Sequence, residues 1–202
     1  MPTRTTLLII VLTILTGILL FFALTSDQKL LQTTKDGTSP APTQEEVVDG
    51  KAKLYFDPAE INVKLSASNT ATVNVVLNSD EHIVTGVQIE ALYDPQVLSN
   101  VTVNTAENSF FSISEEPTVV LFKEVEPLTG KVSYVEGIQP GGKAVNGIGN
   151  IATITFRVNP TTTENSSTII LLDSSMVSED SDTHAGVSVL GGVTPLKINV
   201  IK

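Results

Sequence analysis

The stretch VTGVQIEALYDPQVL, Val84 to Leu98, constrains this chain more than any other. Val87, Ile89, Ala91 and Tyr93 fall on one side of an extended backbone and Gln88, Glu90 and Leu92 on the other, the period of a strand with one face in a core. Asp94 followed by Pro95 ends the pattern. The carboxylate can hold the next backbone N–H groups, while proline fixes φ and withdraws a donor that a strand ladder would need. Beyond the turn, Val97 and Leu98 return to apolar chemistry.

The surrounding sequence repeats this grammar. Leu54, Phe56, Ile61, Val63 and Leu65 form an opening apolar set interrupted by Asp57-Pro58, and Ala71, Val73, Val75 and Leu77 form the next, ended by Asn78-Ser79-Asp80. Val101 and Val103 make a short strand before a polar loop at Asn104 to Ser109. Val119 to Phe122, Val132 to Val135, Ile151 to Val158, Thr168 to Leu172, Val187 to Leu190 and Leu196 to Ile201 complete the set. The spacing predicts an all-β domain over residues 51–202, an antiparallel sandwich of roughly nine strands with a jelly-roll character. No part of it holds a helical period, and the strands are not copies of one another. Tryptophan and cysteine are absent, so thiol chemistry is excluded, and a chain of 202 residues has room for one such domain plus appendages. The formal charge of −10 argues against nucleic acid, whose phosphates would be repelled.

Ahead of the domain, residues 7–24, LLIIVLTILTGILLFFAL, carry no charge, and at about 1.5 Å per residue such a helix crosses most of a hydrocarbon core of about 30 Å. Arg4 precedes the segment and Asp27 follows it, which places residues 1–6 in the cytoplasm and the remainder outside. We read it as a single-pass anchor; the competing reading is a cleaved signal peptide, whose small-residue cleavage pattern Phe22 to Ser26 matches poorly. Residues 25–50 include Thr-Ser-Pro-Ala-Pro-Thr and almost nothing large and apolar, which predicts a flexible tether.

A Gly-Val-x-hydrophobic strand ending in Tyr-Asp-Pro-x-x-Leu resembles the third strand of a cohesin domain, the β-sandwich receptor module of cellulosome-type assemblies. The resemblance covers Lys51 to about Lys202. Leu54 to Leu65 and Ala71 to Leu77 stand as its first strands, GKVSYVEGIQPGG at Gly130 to Gly142 is similar to its middle strand, and IGNIATITFRV at Ile148 to Val158 looks like its Gly-x-hydrophobic-Ala-x-Ile-x-Phe-x-Val signature. It implies a non-catalytic recognition module whose partner, a dockerin helix pair, packs on the sheet containing the Tyr-Asp-Pro strand and the middle strand. Carried across, the outward positions are Gly86, Gln88 and Glu90 on the first strand and Ser133 and Val135 on the second. Cohesins of the best-known dockerins carry Asn and Asp where this chain has Gly86 and Gln88, which argues against a standard dockerin. Because Gln88 and Glu90 are read as pointing to solvent, changing both to Lys is expected to abolish capture and leave folding intact. A polysaccharide is the alternative ligand, although sugar sites favour aromatic platforms and Tyr93 and Tyr134 fall on the inward sides of their strands. A surface spacer without a specific ligand is a third class that fits the composition.

Other chemistry is thinly represented. His82 and His184 sit in polar turn-like stretches, and no Ser, His and Asp form a nucleophile motif. The carboxylate pairs Glu115-Glu116 and Glu124 with Glu126 are read as solvated residues of a charged loop. Glu179, Asp180, Asp182 and His184 form an acidic loop whose oxygens could take calcium, but the glycine and terminal glutamate of an EF-hand are missing, and a solvated loop is the preferred reading. No cofactor or metal is expected. Asn100-Val-Thr and Asn165-Ser-Ser match the glycosylation sequon.

Overall fold

Proline marks where this chain changes sheet. A computed structural model describes residues 51–65, 69–114, 118–180 and 187–202, all within the unit Glu46–Lys202. The opening segment is two strands, β1 (Ala52–Asp57) and β2 (Glu60–Lys64), in different sheets, with Asp57-Pro58 at the break. At the other end β11 (Leu190–Thr194) and β12 (Leu196–Ile201) are separated by Pro195 and divide between the same two sheets. A proline N cannot donate to a ladder, so hydrogen bonding lapses there and the chain is free to cross over.

These pairs also run parallel. Ala52 lies opposite Leu190 and Tyr55 opposite Thr194, while Glu60 lies opposite Lys197 and Lys64 opposite Ile201. The expected purely antiparallel sandwich is corrected on this point. Antiparallel pairing is imposed by hairpins, and strands from opposite ends of a domain have no turn to dictate their direction.

Between them lie β3 (Ala71–Asn78), β4 (Val84–Tyr93), β5 (Leu98–Thr105), a short 3-10 helix (Phe110–Ser114), β6 (Thr118–Glu126), β7 (Lys131–Ile138), β8 (Ile148–Val158), β9 (Ser166–Leu171) and β10 (Met176–Glu179). One sheet has the order β11-β1-β3-β8-β5; the other runs β2-β12-β9-β4-β7-β6, with β10 also paired to β4. Among the described residues twelve strands therefore replace the roughly nine expected. The split ends account for part of the difference. β10 has only Met176 and Val177 as apolar residues and is held by pairing to Val84–Gln88, the half of β4 that β9 leaves free. The strand expected at Val187 to Leu190 instead begins at Leu190. Residues 7–24 and 25–50, read as anchor and tether, lie outside the described residues, as do Glu115, Glu116, Asp182 and His184.

The alternation behaves as the sequence predicts. Val87, Ile89, Ala91 and Tyr93 are buried, and they meet Leu54, Phe56, Val75, Ile154 and Phe156 from the facing sheet. Each such side chain contributes about 1.5–3 kcal/mol by leaving water. The aromatic pair Phe110 and Phe111, edge to face at 5.2 Å between centroids, plugs the core beside β8.

The Tyr-Asp-Pro turn forms as expected. Gln96 N–H donates to Asp94 Oδ1 at 2.8 Å, and the N–H groups of Val97 and Leu98 donate to the Asp94 carbonyl at 3.1 and 2.8 Å. Gly130, in the turn between β6 and β7, sits against it with φ of 72°, accepting from Tyr93 N–H at 2.9 Å. A side chain at Gly130 would collide with the Tyr93 carbonyl, so only glycine lets this turn lie on the end of β4. The contact ties the β6–β7 hairpin to the strand it must flank.

Candidate functional site

Register places the residues singled out from sequence side by side. Across β4 and β7, Gly86 lies opposite Gly137, Gln88 opposite Val135, Glu90 opposite Ser133 and Leu92 opposite Lys131. Directly opposed residues share a face. Their neighbours Val87, Tyr134 and Val132 point into the core, so all five positions, Gly86, Gln88, Glu90, Ser133 and Val135, lie on the outward side of the seven-stranded sheet. β6 and β10 extend the rows: Val119 beside Gly137, Phe122 beside Val135, Glu124 beside Ser133, Glu126 beside Lys131, and Met176 beside Gln88.

Two of the five are not solvent-pointing in the sense expected. Glu90 is 8% exposed and Ser133 6%. Ser133 Oγ donates to Glu90 Oε2 at 2.7 Å, Gln88 Nε2 donates to Glu90 Oε1 at 3.1 Å, and Lys131 Nζ lies 3.1 Å from Glu90 Oε2. The backbone there is equally engaged: Glu90 N–H donates to Ser175 Oγ at 3.0 Å, and the Glu90 carbonyl accepts from Leu172 N–H at 2.8 Å. Three polar side chains, Gln88, Lys131 and Ser133, thus partner the Glu90 carboxylate and cover it. Glu90 and Ser133 thus set the surface in place, while Gly86, Gln88 and Val135 remain partly open.

Sequence reasoning missed the apolar part of the face. Leu121 is 71% exposed and Phe122 48%, on an edge strand with a register shift between Val120 and Phe122. Gly86 and Gly137 leave a low floor beside them, a depression of about 370 Å³ walled by Leu121, Val135, Ile138 and Met176. A Cβ at Gly137 would stand 2.9 Å from the Thr85 carbonyl, so close strand approach requires glycine there. The available signal was the unbroken run Val119-Val120-Leu121-Phe122, four apolar residues where a half-buried strand should alternate. Glu124 and Glu126 are exposed positions of β6 and not members of a loop, because pairing with Ser133 and Lys131 extends the strand past them.

The inward side holds one unexpected carboxyl. Glu136 is fully buried, accepting from Ser109 Oγ and from Tyr134 OH, each at 2.9 Å, and Tyr134 OH also bonds Thr105 Oγ1 at 2.9 Å. Burial pushes the Glu136 carboxyl above its usual range, only partly opposed by those two donors, and burial likewise raises the Tyr134 phenol. Elsewhere His82 Nδ1 lies 2.8 Å from Glu179 Oε1, which engages one member of the acidic stretch considered for calcium. Among the described residues no group of three or more His, Asp and Glu could hold a metal ion.

The outward sheet face is thus floored by glycines and flanked by exposed apolar residues. Residues 59–194 match the cohesin domain family. The chain belongs to the cohesin family. Cohesins are non-catalytic protein–protein interaction modules, and this chain is one of them. No curated protein matches it. Among solved structures it is similar to the OlpC cohesin of Clostridium thermocellum in a type I cohesin–dockerin complex, at 16% identity, TM-score 0.54, with 77% of this chain and 98% of that one covered. The seventh ScaB type I cohesin of Pseudobacteroides cellulosolvens aligns at 17% identity and TM-score 0.53, covering 74% and 91%. The third ScaC cohesin of Acetivibrio cellulolyticus, bound to the ScaB dockerin, aligns at 14% identity and TM-score 0.52, covering 75% and 99%. At these identities the likeness establishes the fold.

Proposed function

We propose that this cohesin captures a dockerin-type module on the outward face of its seven-stranded sheet. The supporting observation is the register that sets Gly86, Gln88 and Val135 together on that face, beside the exposed Leu121 and Phe122. Small residues permit close approach, an exposed apolar centre supplies the desolvation energy, and Gln88 contributes a side chain able to fix register. We propose further that residues 7–24 anchor the chain in a membrane and residues 25–50 hold the domain outside the cell; this rests on the hydropathy and charge flanks of the sequence. The polysaccharide alternative draws no support from the face, where Tyr93 and Tyr134 are turned inward and buried and Phe122 is the one exposed ring among the described residues.

The test is binding of the chain to a panel of purified dockerin modules by calorimetry. One or more should bind. Val135→Asp should weaken that binding by about a hundredfold, the loss expected for a charge placed in an apolar interface centre, while Thr153→Asp on the other sheet leaves it unchanged. Equal binding by the Val135 variant, or no binding by any module, contradicts the proposal.

A further inference from the structure

The outward side of the five-stranded sheet carries a pocket of a different kind. Between β3, β8 and the loop after β5 lies a depression of about 330 Å³ lined mainly by Thr72, Asn74, Glu107, Asn108, Asn150 and Thr153. Asn150 and Thr153 are three residues apart on β8 and would face opposite ways in a regular strand. A register shift sets Val75 opposite Ala152 and Val76 opposite Asn150, which turns both side chains into the one pocket. The loop wall is fixed as firmly. Its two ends are pinned from β7: Tyr134 OH donates to Thr105 Oγ1 and Ser109 Oγ donates to Glu136 Oε1, each at 2.9 Å. Between them Ala106 N–H donates to the Ile151 carbonyl at 3.2 Å, and Ser109 bridges to Asn150. Glu107 and Asn108 are thus held exposed at the rim by bonds that run to buried side chains. A rim already in place lowers the ordering cost of binding.

The polar groups that meet there are free to bind. Thr153 Oγ1 donates to Asn74 Oδ1 at 3.2 Å and orients that amide, leaving its N–H donors unengaged among the described residues. The side chains of Glu107, Asn108 and Asn150 likewise have no hydrogen-bond partner among the described residues. Amides donate and accept and the carboxylate accepts, a set that suits hydroxyl groups, which do both. Glu107 and a formal charge of −10 select against anions. Tyr55 adds a ring. It points outward between buried Leu54 and Phe56, is half-buried, and lies in one row with Val76 and Asn150. Two strand spacings, about 10 Å, separate it from Asn150, a gap that a short oligosaccharide bridges, with the C–H face of one sugar on the ring. We propose that this pocket and Tyr55 bind a neutral oligosaccharide on the sheet opposite the docking face. The site does not rest on the docking proposal, and one molecule can hold a protein partner and a glycan together.

The experiment is calorimetric titration of the full chain, in a detergent without a sugar headgroup, with cellohexaose, xylohexaose and mannohexaose, and with hexagalacturonate as the anionic control. At least one neutral hexasaccharide should bind and hexagalacturonate should not. Asn74→Ala and Asn108→Ala should each weaken that binding about tenfold, the loss expected when a hydrogen bond to the ligand is removed. Asn108 is exposed, so its variant keeps the fold, which an unchanged melting temperature verifies. Failure of all three neutral probes to bind, equal binding of hexagalacturonate, or full affinity in both variants overturns the inference. Each of these results leaves the docking proposal standing, because that proposal concerns the other sheet and is read with dockerin modules.

Discussion

Two carboxylates in adjacent strands show how side matters more than residue type. Glu90 faces outward and has Lys131, Ser133 and Gln88 around it; Glu136 faces inward and has only neutral donors, Ser109 and Tyr134. Exchanging Gln88 and Glu90 together for Lys is therefore not a clean binding test. Glu90→Lys sets a second ammonium beside Lys131 and strands the Ser133 hydroxyl, and should cost about 2 kcal/mol in urea denaturation, whereas Gln88→Lys should cost under about 0.5 kcal/mol. Equal losses for the two would contradict the network described. At Glu136 the folded-state carboxyl titrates above its unfolded value of 4.5, so the charged form is the disfavoured one in the fold. Its contribution is intact below pH 4.5 and is lost as pH rises through the elevated folded value. Melting temperatures of wild type and Glu136→Gln followed from pH 4 to 8 should diverge in the variant's favour as pH rises; parallel curves would contradict the assignment. The position of Glu136 was legible in principle, since alternation in KVSYVEGI puts it on the same side as Val132 and Tyr134. The burial of Glu90 was not, because its cover comes from Lys131 and from Ser175, which sequence does not bring to it.

At the scale of elements, the strands whose apolar residues largely alternate, β3, β4, β7 and β8, were readable from period, and so was the Tyr-Asp-Pro turn, whose Asp94 bonds to Gln96, Val97 and Leu98 are local. What depended on distant partners was not. The parallel pairing of β1 with β11 and of β2 with β12, and the existence of β10, arise from contacts between segments far apart in the chain. The two prolines were visible, but a proline announces a break and not the sheet to which the chain moves next. Gly130 carries a local prediction. With φ of 72° and the Tyr93 carbonyl in the way of a side chain, Gly130→Ala should cost about 1–3 kcal/mol and lower the melting temperature by several degrees. Calorimetry that shows no change would mean the hairpin is not pinned to β4 by this contact.

For the molecule as a whole, a family-level sandwich carries a proposed docking face whose composition is this chain's own, with Gly86 and Gln88 in its rows and an apolar wall from Leu121 to Met176. The proposed anchor makes a separate claim: full-length protein should pellet with membranes and deletion of residues 1–24 should release it, while a soluble product trimmed near Ser26 would favour signal cleavage. The central claim is where a partner sits. It is tested most directly by hydrogen exchange on the full chain, free and saturated with a dockerin module that binds it. Protection confined to residues 84–92, 118–126 and 131–138 is predicted; protection instead on the outward side of β3 and β8, around Thr72, Asn74 and Thr153, would contradict it.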